Sequence, residues 1–275
     1  MERKKNTNVI ALTDYTPAGH SAVRHAASLA RFFESTLTVI PNFSFNGEVP
    51  ARAATPEFTA LLEQVAGQVT VHVDGTPYQP QSLHAMAESA NNIMYVIGVT
   101  RSRKESYFDP KNALQFIAPS RLPVLTVGVE GPHDDQWQHV LVTADVDMPV
   151  KEKILWAGYF NRYGHSTIHI LHNEYQDNIS KGKMEDHLEF IEKLYTNLEI
   201  EPVTHVIRPK AYDLDQYAVE HAGEYDASAL VVMTTTRKTF IDRLFGVREQ
   251  NLPANAAGLP VLFLNERDDL FVLCT

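Results

Sequence analysis

Ten short apolar runs punctuate the chain, at 9–13, 37–40, 69–73, 94–99 and 124–127, then at 140–144, 167–171, 203–207, 230–233 and 261–264. Most are nearly continuous in Val, Ile and Leu and do not alternate with polar residues, which is the pattern of parallel strands covered on both faces. Stretches of helix length separate them. In residues 149–164, Ile154, Leu155, Ala157, Gly158 and Tyr159 set against Lys151, Lys153 and Arg162 predict a partly apolar helix that ends near Gly164. In residues 183–199, Leu188, Ile191, Leu194, Tyr195 and Leu198 keep a three- and four-residue spacing. Strands and helices in alternation, joined by right-handed crossovers, predict a doubly wound α/β sheet. Ligand sites in such sheets lie beyond the carboxyl ends of the strands.

The ten runs fall into two sets of five, and the sets resemble each other. NVIALTDYTPAGHS near the start and HVLVTADVDMPVKEK from residue 139 both run from an apolar strand through an Asp to a helix start. NIMYVIGVTRS and SALVVMTTTRK both carry a buried strand into a Thr-Arg turn, with Arg101 and Arg237 136 residues apart. LPVLTV and LPVLFL close the two sets. The segment GVEGPHDDQWQ between them has the Gly, Pro and Asp content of a linker. The expected domains are 1–130 and 138–275, the second ending in an apolar tail.

Composition narrows the function classes. With 24 Lys and Arg against 34 Asp and Glu, the formal charge of −10 repels a phosphate backbone or an anionic membrane, so neither nucleic acid nor membrane is an expected partner. The single cysteine, Cys274, allows no internal disulfide and fits a reducing compartment. The apolar run after the basic N-terminus is too short for a signal peptide, and no run is long enough to span a bilayer, so a cytoplasmic location is expected. His165, His169 and His172 tempt a metal reading, but on a strand His172 faces away from the other two, and no metal is expected. Walker A, Gly-x-Ser-x-Gly and His-Glu-x-x-His signatures are absent. The tail at 270–274 turns apolar after a charged break, which suggests an extra edge strand or a patch for a second molecule.

This order of features, with Asp14 and Asp145 after the first strand of each set, resembles the universal stress protein family in its tandem form, over nearly the whole chain. The resemblance implies two flavodoxin-like, Rossmann-like domains, each with a five-stranded parallel sheet of order 3-2-1-4-5. It further implies a pseudo-twofold that brings the last strands near each other. In nucleotide-binding members the first-strand Asp lies near the adenosine, and a Gly-x-x-Gly loop followed by Gly-Ser/Thr holds the phosphates. Here Gly98 keeps the first glycine position while Arg101 takes the second. In the second half Thr234 and Arg237 replace both, and Gly246 is followed by Val247 where a hydroxyl belongs. Backbone N–H groups approach a phosphate best where no Cβ intervenes, so both loops read as degenerate.

The candidate binding residues are therefore Asp14, Gly98, Arg101, Asp145, Thr234, Thr236, Arg237 and Gly246. Asp14 and Asp145 have a competing role as caps of the next helix or turn. Thr100 with Arg101, and Thr236 with Arg237, offer hydroxyl and guanidinium donors to an anion, with Arg103 and Lys238 close by. The expected function is binding and assembly in a stress response, without a required cofactor and more in keeping with a non-enzyme. The small anion or nucleotide, a protein partner and a homodimer are the partners considered. The alternative is a member that binds, or slowly hydrolyses, ATP or another adenine nucleotide.

Overall fold

A computed structural model describes residues 7–43, 54–88, 91–101, 107–132, 136–234 and 252–266. Arg103, Thr236, Arg237, Lys238, Gly246 and the apolar tail at 270–274 lie outside the described residues. The chain divides into two compact units, Met1–Asp134 with Pro253–Pro260, and Asp135–Leu252 with Val261–Thr275.

Unit 1 contains β1 (Asn8–Leu12), α1 (Pro17–Phe32), β2 (Thr36–Ile40), α2 (Pro56–Ala66), β3 (Val71–Val73), α3 (Pro80–Glu88), β4 (Asn92–Gly98), α4 (Pro110–Ile117) and β5 (Val124–Val127). Its strands lie in the order β3-β2-β1-β4-β5, all pairs parallel. Unit 2 contains β6 (His139–Ala144), α5 (Lys151–Gly164), β7 (Thr167–Asn173), α6 (Asn178–Asn197), β8 (Val203–Ile207), α7 (Leu214–Glu220), a 3-10 turn (Ala222–Tyr225), β9 (Ala229–Met233) and β10 (Val261–Leu264). Its strands lie in the order β10-β9-β6-β7-β8, again all parallel. Counted from each unit's own first strand, both orders are the expected 3-2-1-4-5.

The apolar runs form the centre of each sheet because both faces are covered. Val9, Ile10 and Ala11 of β1 and Val140, Leu141 and Val142 of β6 have no exposed surface. Strands β3 and β8, at one edge of each unit's sheet, are largely exposed along their length. Helix starts follow local chemistry: Thr16, Thr55, Asp109, Asp177 and Asp213 each accept a backbone N–H of the first turn. Helix α5 has no such cap, because Val150 occupies the position. Helix α5 ends at Gly164, where His165 turns left-handed at φ 54°.

One close approach sets the geometry of unit 1. A Cβ on Gly98 at the end of β4 would lie 2.0 Å from the carbonyl oxygen of Ala18 in α1. Only glycine lets that helix pack so tightly against the strand.

Candidate functional site

In unit 1, β1 delivers Asp14 to the carboxyl edge of the sheet, where the carboxylate is buried. Its Oδ1 accepts from the Thr16 backbone N–H at 3.2 Å and the Thr16 hydroxyl at 2.5 Å. Its Oδ2 accepts from the Tyr107 N–H at 2.8 Å. Thr16 in turn caps α1 by accepting from the Gly19 N–H at 3.1 Å. The chain after β4 is thereby drawn onto the first-strand carboxylate, and the Thr100 N–H to Phe108 carbonyl bond, 3.0 Å, holds it there. Phe108 stacks on Phe43 with ring centroids 5.4 Å apart, and both meet Phe116. All three rings are buried. Tyr15 packs edge-on to Phe58 at 4.8 Å, with His20 stacked on the same ring. Burial is the main cause that lowers the His20 pKa, with Arg24 adding to it against Asp14 and Glu57.

Gly98 closes β4 and Arg101 lies three residues beyond it. Gly98 is accounted for by its contact with Ala18. Arg101 is exposed, and its Nε donates at 3.3 Å to the carbonyl of Ala254. A groove of about 480 Å³ does open in unit 1, but over the beginnings of β1, β2 and β4, at Asn8, Thr36, Thr38 and Asn92. Those side chains bond one another: Asn8 donates to Asn92 at 2.6 Å and accepts from Thr36 and Thr38 at 3.0 and 3.2 Å.

The same edge of unit 2 is built differently. Asp145 is half-exposed, and its Oδ1 accepts only long bonds, from the Asp147 N–H at 3.3 Å and the Tyr175 hydroxyl at 3.4 Å. Beneath it Lys153, 1% exposed, donates from Nζ to the Thr143 carbonyl and, at 3.2 Å, to the Thr143 hydroxyl. That hydroxyl donates onward to Asp215 Oδ1 at 2.5 Å. A hydrogen-bond relay thus joins a buried ammonium to a carboxylate through one threonine. Burial pushes the Lys153 pKa down, while Asp215 and Asp145 oppose that shift. Burial pushes the Asp215 carboxyl up, against Lys153 and the Thr143 hydroxyl.

Around this relay stand three further groups. Tyr175 is buried, its phenol pushed up chiefly by burial and next by Asp145, and Lys210 Nζ lies 4.5 Å from its ring centre. His187 of α6 is held down by burial and then by Lys153, and its Nδ1 has no hydrogen-bond partner among the described residues. Gln216 Oε1 is likewise without one. Thr234 is turned away from this cluster: its N–H and hydroxyl both go to the Leu264 carbonyl, at 2.7 and 2.9 Å, and it also meets Asn265.

Sequence reasoning named Asp145 but missed Lys153, Thr143 and Asp215. Lys153 is the third residue of α5, as Gly19 is of α1. Aligning the helix starts would have shown that a lysine replaces a glycine there. The sequence reading compared His169 only with histidines of its own segment. His169 meets neither His165 nor His172 but His139 and His205 on the neighbouring strands. Among the described residues no group of three or more His, Cys, Asp or Glu could hold a metal ion. No helix among them is long and apolar enough to cross a membrane.

No protein-family model and no curated protein matches the chain. Solved structures do. A universal stress protein from Archaeoglobus fulgidus DSM 4304 superposes with a TM-score of 0.67 at 13% identity, over 97% of this chain and 98% of that one. A candidate universal stress protein from Pseudomonas aeruginosa UCBPP-PA14 gives 0.58 at 13% identity, over 95% and 94%. The chain has the universal stress protein fold along nearly its whole length. At such identity the likeness speaks for the architecture alone.

Proposed function

We propose that the protein acts by binding and assembly, as a universal-stress-type protein whose first unit has given up its nucleotide place to its own chain. The observation that carries this reading is the engagement of Asp14. Both its oxygens are taken by Thr16 and Tyr107, while Phe43 and Phe108 are stacked and buried nearby. A ribose hydroxyl or base amine approaching this carboxylate would have to displace hydrogen bonds already made, and an incoming ring would have to displace packed aromatics. The degenerate Gly98-x-x-Arg101 loop agrees with that. On this reading no cofactor is required, the protein is cytoplasmic, and a second copy or another protein is its partner. A small anion held by Thr236, Arg237 and Lys238 belongs to the same proposal.

A second reading is favoured by one observation, the looseness of Asp145. With hydrogen bonds of 3.3 and 3.4 Å only, a half-exposed position and the Tyr175 ring beside it, Asp145 is free to take a better donor. That would suit an adenine nucleotide in unit 2. Titration calorimetry and thermal shift with ATP, ADP and AMP, with and without magnesium, separate the readings. A ligand at 100 times its Kd stabilises by about 2.7 kcal/mol, which is easily seen. No response is expected on the first reading. Micromolar ATP binding abolished by Asp145→Ala supports the second, and binding abolished by Asp14→Ala overturns the closed first unit.

A further inference from the structure

Three neighbouring strands of unit 2 each contribute one histidine to a row in which the rings meet: His139 on β6, His169 on β7 and His205 on β8. His139 Nδ1 lies 3.1 Å from His169 Nε2, and His169 Nδ1 lies 3.0 Å from His205 Nε2. The ring centres are 5.4 and 5.3 Å apart. Tyr225 of the 3-10 turn closes over the row, 4.8 Å from His205 and 6.1 Å from His169. His169 is 8% exposed, so its bonds are made away from bulk water.

The rings form a line. His169 offers a different nitrogen to each neighbour, so the three do not face a common point as metal ligands must. A line of imidazoles stores protons instead. Each N–H···N bond needs one donor and one acceptor. When all three rings are neutral, each has one N–H, all point the same way along the row, and both bonds are made. One added proton goes to the outer nitrogen of the ring at the donating end, and both bonds survive. A second proton has no such place. The only bare nitrogens left are the two acceptors, so its uptake breaks a bond and puts two cations in one row.

What the row holds together is the outer strand. Strand β8 has β7 as its one neighbour within unit 2, and Val203 and Val206 are 43% and 44% exposed. Beyond the β7 ladder, His205 and the Tyr225 ring join it to the sheet. We propose that the His139–His169–His205 row is a proton-operated latch, closed when neutral, whose second proton releases β8 and the turn Ala222–Tyr225.

The charges that face the row agree with this direction. Burial, then His205 and His139, hold His169 down at about 4, and Asp226 opposes them. Burial also lowers His205. Burial, then Tyr217 of α7 and Glu224, push Tyr225 up to about 12, so it stays neutral throughout. A base held below its ordinary 6.5 in the folded state gives stability that is complete above 6.5 and lost as the pH falls toward 4.

The test is nitrogen-detected NMR of the imidazoles together with amide hydrogen exchange, on the full chain at pH 7.5 and pH 5. At pH 7.5 the three rings are expected to show N–H groups in one sense along the row. On acidification an end ring takes the first proton, and His169 is last. Amide protection of 203–207 and 222–225 is then expected to fall on the order of tenfold relative to β9. His169→Phe preserves a ring for Tyr225 and His205 but cannot bond, and is expected to show equal protection at both pH values. Three rings that titrate independently at ordinary histidine values overturn the latch. So does wild-type protection of β8 that is unchanged between pH 7.5 and pH 5, which requires no variant to fold.

Discussion

The third residue of the helix after the first strand is Gly19 in unit 1 and Lys153 in unit 2. Around Gly19 there is no room: an added Cβ would sit 2.6 Å from Thr13 Oγ1 and 2.7 Å from Asp14 Oδ1. Around Lys153 a four-carbon stem and an ammonium are fully accommodated. With glycine in place, the Thr16 cap and Asp14 draw together and the carboxylate turns inward. With lysine, the helix starts without a side-chain cap, Thr143 becomes the hub, and Asp145 is left near the surface. One strand order thus carries one strand edge closed by hydrogen bonds and aromatic rings and another organised round a buried cation. The sheet tolerates both because its ladder and core lie below that level.

The largest expected effect tests the relay directly. Lys153→Met removes the buried cation while Asp215 and Thr143 remain, and is expected to destabilise by about 3–5 kcal/mol, read by urea unfolding. The double variant Lys153→Met, Asp215→Leu is expected to recover most of that loss. If it adds a further loss instead, the two groups are not a compensating pair.

Gly98→Ala comes next. The new methyl meets the backbone of α1, not a flexible side chain, and a cost of about 3 kcal/mol is expected. A near-neutral result would mean that α1 shifts freely away from β4, and would reopen a phosphate-loop role for Gly98.

The smallest effect is the sharpest comparison. Asp14→Ala leaves the Tyr107 N–H and the Thr16 donors without their acceptor and is expected to cost about 1–3 kcal/mol. Asp145→Ala loses only two long bonds and is expected to stay within about 0.5 kcal/mol. Equal costs would remove the distinction between a closed and an open strand edge.

Legibility followed the range of the interaction. The α5 end at Gly164 and the succession of strands and helices were readable, because periodicity and repeats are local or add up over many residues, while the strand order followed from the family resemblance. The α6 start was placed late, since Asp177 caps a largely exposed first turn that shows no apolar spacing. Asp14 and Asp145 were readable as strand-edge carboxylates, and the local signals that separate the bonded one from the loose one, Thr16 and the Gly19/Lys153 exchange, complete only part of the difference. The third donor to Asp14, the Tyr107 N–H, comes from 93 residues away.

Continuous apolar runs and helical spacing determined the two α/β halves, the parallel strands and the edge where the carboxylates stand, since each depends on patterning summed over many residues. Tertiary structure alone decided the rest. It buried the Lys153 ammonium on Thr143, brought Asp215 to Thr143 across 72 residues, and lined up His139, His169 and His205 from three separate strands. Burial and hydrogen-bond partners set the chemistry of an ionisable side chain, and both are supplied by residues that meet only when the sheet has formed.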